Sequence, residues 1–296
     1  MRTYGAFVAV LLVLGGCTAT AEEVAKGALP AGSGVARFEG LPGKAMRVFY
    51  HRPAAFRSRS PILVVLHGVR RNAGRYRDAW RDLSGREGFL VLAPEFARAD
   101  FPGGRAYNRG NMRTAAGDPV PPRAWSFNAV ERLFDAARRW TGSTREGYLL
   151  FGHSAGAQAA HRMITFMPYL RVERAVAANA GWYAMPDRSA PFPYGLQGSG
   201  ADDAQLRAAF ARRLIVMLGD ADNDPNHRYL NNSDGARRQG AHRLARGLAY
   251  FDRAKALARK LGAPFGWRLE IVPDAGHSTK QVRDAALRAL LQAARP

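Results

Sequence analysis

Apolar runs of about five residues, continuous rather than alternating, recur along this chain at 62–66, 89–93, 148–151 and 214–218, and at 174–178 once its leading Arg174 is passed. A strand that is apolar on both faces has to be covered on both, so such runs belong inside a sheet with helices above and below it. Between them lie stretches with apolar residues three and four apart; the stretch 127–140 places Val130, Leu133, Phe134 and Ala137 on one stripe. The spacing predicts helices near 76–85, 127–140, 155–166 and 242–261, and a last one running to 294, with further strands at 46–50 and 267–271. Strand and helix in alternation imply an α/β architecture, a mostly parallel central sheet flanked by helices. The chain has 296 residues, 47% of them hydrophobic, and no dividing linker, so a single domain over 35–296 accommodates the pattern. Segments 97–124 and 182–205 show neither period and are rich in Gly, Pro and Asn. Loops of that length in a compact domain usually carry function, and Tyr107, Trp125, Trp182, Tyr183, Phe192 and Tyr194 are expected to wall a substrate pocket.

Residues 1–21 read as a signal peptide, because the apolar run 7–14 is too short to span a bilayer and sits where an export signal's apolar segment belongs. The run ends in Leu14-Gly15-Gly16-Cys17, which resembles a bacterial lipobox and makes the Cys17 thiol a lipidation site; Ala19-Thr20-Ala21 is the alternative cleavage pattern, for free secretion. Residues 22–34 then form a flexible tether. The expected location is the periplasm or outer membrane, anchored through the lipid, or outside the cell. Cys17 is the only cysteine, so no intramolecular disulfide is possible.

The formal net charge of +20 raises nucleic acid as a partner. Its arginines are scattered, as at Arg70-Arg71, Arg138-Arg139, Arg212-Arg213 and Arg237-Arg238, without a basic tail or interleaved aromatic platform. They read as solvated faces, and no nucleic-acid partner is expected.

The strongest local signal is Gly152-His153-Ser154-Ala155-Gly156, placed directly after an apolar strand and before a helical pattern. This G-x-S-x-G turn exposes the serine hydroxyl, and its glycines leave room for neighbouring backbone. The helix that follows begins with unpaired N–H groups, which makes the Ala155 amide a natural oxyanion donor. His67-Gly68-Val69, at the end of the run 62–66, is expected to supply the second donor through the Val69 N–H, with His67 buttressing the loop. A serine hydroxyl needs a histidine base, and that base needs a carboxylate. His277 follows the last predicted strand; His227 is the one serious rival. Asp220, Asp222 and Asp224 all follow the run 214–218, and position alone leaves the choice open.

With these residues the chain resembles the α/β-hydrolase superfamily, and more narrowly bacterial exported esterases related to polyhydroxyalkanoate depolymerases and feruloyl esterases. The resemblance covers about residue 45 to the end. It implies the α/β-hydrolase fold and a catalytic triad of Ser154, Asp222 and His277, the acid standing third after Gly219. It further implies hydrolysis of a small or polymeric carboxylic ester, with polymer-derived or aryl esters as candidates, and no cofactor. The run of aspartates loosely resembles a calcium loop, but Pro225 replaces the required glycine and Asn231 the bidentate glutamate, so no metal is expected. An exported peptidase or acyltransferase using the same triad, and a non-catalytic binding lipoprotein of this fold, are the alternatives.

Overall fold

The computed structural model, which describes residues 28–292, opens with a hairpin. β1 (Gly32–Leu41) and β2 (Lys44–Arg52) pair antiparallel. The sequence pattern had placed residues 32–34 in the tether; they are strand instead. β1 is an edge strand with only one buried face, on which Ala36 and Phe38 point inward while Val35, Arg37 and Glu39 are exposed. Alternation this short leaves no continuous apolar run to detect. Of the remaining N-terminal expectations, the leader, Cys17 and the Ala19-Thr20-Ala21 pattern lie outside the described residues.

From β3 (Ile62–Leu66) onward strand and helix alternate: α1 (Ala73–Glu87), β4 (Leu90–Pro94), α2 (Asn128–Thr141), β5 (Tyr148–His153), α3 (Ala155–Phe166) and β6 (Val172–Ala178). They are followed by α4 (Asp203–Ala211), β7 (Leu214–Gly219), α5 (Arg243–Lys260), β8 (Arg268–Val272) and α6 (Thr279–Leu291). Helix α4 begins inside a stretch read as loop; its start signal is Asp202, whose carboxylate accepts the Gln205 N–H at 2.8 Å. The eight strands form one sheet in the order β1-β2-β4-β3-β5-β6-β7-β8, antiparallel through β2 and parallel from β4 to β8.

The continuous apolar runs separate into two cores because successive strand residues face opposite ways. Leu63, Val65, Leu149, Phe151, Ile215 and Met217 pack with α1 and α6 on one face. Val64, Leu66, Leu150, Ala177, Val216 and Leu218 pack on the other, under α2 to α5. The chain leaves β3 for α1 on the first face and β5 for α3 on the second. Adjacent parallel strands whose connections depart to opposite sides open a crevice beyond their carboxyl ends, which is where α/β sheets hold ligands. The loops after β3 and β5 carry Val69 and Ser154. Among the described residues no helix is long and apolar enough to cross a membrane.

Candidate active site

Ser154 occupies the single residue between β5 and α3, with φ 58° and ψ −116°. Few side chains adopt this backbone, and the surrounding packing has to enforce it. A Cβ on Gly152 would stand 2.2 Å from the Gly156 carbonyl oxygen, and one on Gly156 would stand 2.0 Å from the Leu66 carbonyl oxygen. Both obstacles are backbone, so neither can swing aside without moving β3 or α3. Gly156→Ala is therefore expected to destabilise the fold by about 2 kcal/mol or more; an unchanged urea midpoint would contradict this close approach.

The serine, a histidine and a carboxylate meet at the rim of the sheet. His277 Nε2 lies 3.0 Å from Ser154 Oγ, and His277 Nδ1 lies 2.7 Å from Asp222 Oδ2. The last two come together because their strands, β7 and β8, are neighbours whose exits are stitched by backbone bonds, Asp220 N–H to the Val272 carbonyl and Ala221 N–H to the Ala275 carbonyl. Asn179, at the end of β6, accepts the Gly219 N–H at 2.8 Å and donates to the Gly276 carbonyl at 3.1 Å, fixing both turns. Of the three candidate aspartates only Asp222 is buried and reaches the imidazole; Asp220 is half-buried, and the exposed Asp224 accepts the Asn226 N–H. Burial alone would raise the Asp222 carboxyl, but its bonds to His277 and the cation of Arg243 outweigh this and hold it below the usual carboxylate range. His227 stands beside His277, with ring centroids 5.3 Å apart, and does not contact the Ser154 hydroxyl.

The loop after β3 packs against the serine: a Cβ on Gly68 would fall 3.7 Å from Ser154 Cβ. Val69, 44% exposed, lines the cleft with Ser154. Ala155 is the first residue of α3, so its N–H has no intrahelical acceptor. The Ala155 amide directly follows the serine and the loop that carries Val69 packs against it, the two places from which N–H donors can stabilise negative charge on an acyl oxygen. The fully buried His67 braces this loop, its Nδ1 donating to the Gly68 carbonyl and its Nε2 accepting the Phe96 N–H, while the Tyr107 hydroxyl donates to the His67 carbonyl.

Burial pushes the His67 imidazole down to about 3, and lowers His153 and His161 as well. All three are neutral in the fold, whereas in the unfolded chain they take up protons below about pH 6.5. Their contribution to stability is complete above that pH and is lost as pH falls, for His67 over the range down to about 3. Unfolding free energy is expected to fall on acidification from pH 7 to 5, by up to about 1.4 kcal/mol per pH unit for each ring once well below pH 6.5. Denaturant titrations at the two pH values check this, and equal stability would refute it.

Two clefts open on either side of the serine, and Ser154, Val69 and Tyr229 line both. One, about 520 Å³, carries Arg70, Arg75, Arg228 and Lys280; the other, about 430 Å³, carries Asn108, Arg109, Gln158, Trp182 and Tyr194. Arg109 continues into a third cleft of about 360 Å³ with Arg105 and Arg113. Among the described residues, no Asp or Glu lines any of the three. Of the loop aromatics expected as pocket walls, Trp182 and Tyr194 flank the serine and Phe192 lines the third cleft. Tyr107, Trp125 and Tyr183 are instead core residues, drawn inward because large rings gain more from burial than a polar cleft returns.

The arginines also depart from expectation. Arg162, Arg243 and Arg246 are 0–1% exposed rather than solvated. Arg162 donates to the Gln158 carbonyl and stacks its guanidinium 4.4 Å from the Trp182 ring centre, while Arg246 donates to the Gly181 carbonyl. They hold the wall of the second cleft, and burial lowers them to about 9 and about 10. Sequence reasoning missed them, as it missed Arg109, Gln158 and Tyr229, because nothing local separates a buried arginine from a surface one. Among the described residues no group of three or more His, Cys, Asp or Glu side chains is placed to hold a metal ion.

No family model and no curated protein matches this sequence. Solved structures do. The chain is similar to poly(aspartic acid) hydrolase-1 from Sphingomonas sp. KT-1, at 41% identity over 89% of this chain and 100% of that one, with a TM-score of 0.87. It is similar to a poly(3-hydroxybutyrate) depolymerase from Bordetella parapertussis, at 34% identity over 88% and 90% of the two chains, with a TM-score of 0.82. An S-formylglutathione hydrolase from Agrobacterium tumefaciens shares the fold at 19% identity, covering 88% and 96%, with a TM-score of 0.55.

Proposed function

The chain belongs to the α/β-hydrolase superfamily, among its esterases and depolymerases, and we propose that it cleaves acyl bonds of an anionic polymer through Ser154, His277 and Asp222. The observation that carries this is the unbroken relay from hydroxyl to imidazole to buried carboxylate, 3.0 Å and 2.7 Å long. Ser154 Oγ bonds to the carbonyl carbon as its proton passes to His277 Nε2. The Val69 and Ala155 amides hold the oxyanion, and Asp222 keeps the His277 proton on Nδ1 and stabilises the imidazolium. The tetrahedral carbon then expels the leaving group, which takes the proton from His277 Nε2 and leaves an acyl-serine. Water, giving a proton to the same nitrogen, attacks the acyl carbon; the carboxylic acid departs and the proton returns to Ser154.

Among the described residues, seven cations and no carboxylate line the three neighbouring clefts, which favours a substrate with negative charges along its length. The relative named as a poly(aspartic acid) hydrolase acts on a polymer of that charge, and the export signal proposed at residues 1–21 would carry the enzyme to where such chains are met. A charge-assisted hydrogen bond is worth about 1.5–3 kcal/mol, so Arg109→Ala is expected to raise KM for an anionic oligomer about tenfold. KM for neutral p-nitrophenyl acetate should stay within about twofold. Added salt should weaken the first substrate and spare the second. Preferential turnover of poly(3-hydroxybutyrate) over poly(aspartic acid), without salt dependence, would instead assign the neutral polyester.

A further inference from the structure

Arg243, the first residue of α5, touches both the catalytic carboxylate and a second histidine of the cleft. Its Nη1 donates to Asp222 Oδ1 at 3.0 Å, its Nη2 donates to His227 Nδ1 at 3.1 Å, and its side chain is 1% exposed. His227 Nδ1 also accepts the Tyr229 N–H at 3.2 Å. A ring nitrogen that accepts from two donors carries no proton, so the His227 proton resides on Nε2. His227 lines the same cleft as Ser154 and His277.

An ionised carboxylate as buried as Asp222 needs a compensating charge close by. Either a protonated His277 or Arg243 can supply it, and only the second leaves the imidazole free to take the Ser154 proton. We propose that Arg243 is a positioning residue that balances the Asp222 carboxylate in place of a protonated His277 and fixes His227 as an Nε2–H donor to bound substrate. The proposal rests on the triad reading above.

The other groups facing this pair do not substitute for Arg243. His153 packs on the His277 ring at 4.7 Å and bonds to Tyr76 from α1; Arg246 donates to the Gly240 and Gly181 carbonyls, and Tyr183 is buried in the core. Arg228 and Lys280 line the outer cleft, Asp220 is half-buried, and the exposed Asp224 accepts the Asn226 N–H.

The test is the pH dependence of kcat/KM for a neutral p-nitrophenyl ester. Arg243→Gln, which keeps a hydrogen-bond donor but removes the charge, should move the acid limb to higher pH by about one unit or more. Its activity should recover above that limb to within about tenfold of the unmutated enzyme. Arg243→Lys should leave the limb in place. Loss of activity equal at every pH in Arg243→Gln, or the same shift in both variants, would overturn the first task. His227→Phe should raise KM about tenfold with the limb unmoved, and His227→Gln, which retains an N–H, should restore it. Nitrogen chemical shifts of the unmutated chain need no variant to fold: an unprotonated His227 Nδ1 supports the bridge, and a protonated one overturns it. An unmutated enzyme that neither hydrolyses the ester nor takes a fluorophosphonate label would overturn the triad itself, whereas an active one with an unshifted Arg243→Gln limb would overturn only the role of Arg243.

Discussion

Alanine at position 154 is expected to lower kcat for a p-nitrophenyl ester by at least about 10⁴-fold and to abolish labelling by a fluorophosphonate, with the fold intact. The magnitude follows from the geometry. Among the described residues the hydroxyl is the nucleophile bonded to His277 Nε2, at 3.0 Å, and its removal leaves only the two amides and the cleft to favour the transition state. Ser154 is only partly buried and its own N–H bonds to the Ala178 carbonyl through the backbone, so alanine removes chemistry and little packing. His277→Ala should match this loss rather than add to it, because nucleophile and base act as one unit. Label retained in Ser154→Ala would place the nucleophile elsewhere.

Asp222→Asn should cost about 10⁴-fold in kcat while Asp220→Asn stays within a few-fold. The reason lies in what Arg243 forces on an amide. Only an oxygen can accept from Arg243 Nη1, so the carbonyl of the substituted side chain turns to the guanidinium and its NH₂ group faces His277 Nδ1, where Asp222 Oδ2 now accepts at 2.7 Å. A donor at that place requires an unprotonated Nδ1 and puts the imidazole proton on Nε2, the atom that has to receive the Ser154 proton. The variant therefore loses its base through the wrong tautomer, with almost no change in side-chain volume. Asp220 is half-buried and touches no catalytic atom, so its amide variant lacks this route to inactivity. Comparable losses in both variants would mean that the loop after β7, and not one carboxylate, is what the site requires.

The two carboxylates mark where sequence reasoning ends. Both follow the same strand, two residues apart, and local pattern gives each the same claim; resemblance to a family favoured Asp222, and burial with two partners distinguishes it in space. Gly152-His153-Ser154-Ala155-Gly156 needed no such help, since a strand, a turn with room for backbone on both sides and a helix start are all local properties. The long segments 97–124 and 182–205 were recognisable as irregular, yet which of their rings face the serine was not. Tyr107 and Tyr194 look alike in sequence, and one braces the His67 carbonyl from inside the core while the other lines the cleft.

What the amino-acid sequence determined by itself was the alternation of doubly buried strands with amphipathic helices, and with it the α/β sheet and the exposed serine, because side-chain periodicity and backbone sterics act over a few residues. The tertiary structure alone decided that His277 lies 123 positions from Ser154 in sequence but 3.0 Å away in space, that Arg243 bridges Asp222 and His227, and that arginines scattered in sequence line the clefts beside the serine. Those contacts depend on which strands become neighbours and where their loops emerge. That order is set by the simultaneous burial of two faces of one sheet, a property of the whole chain.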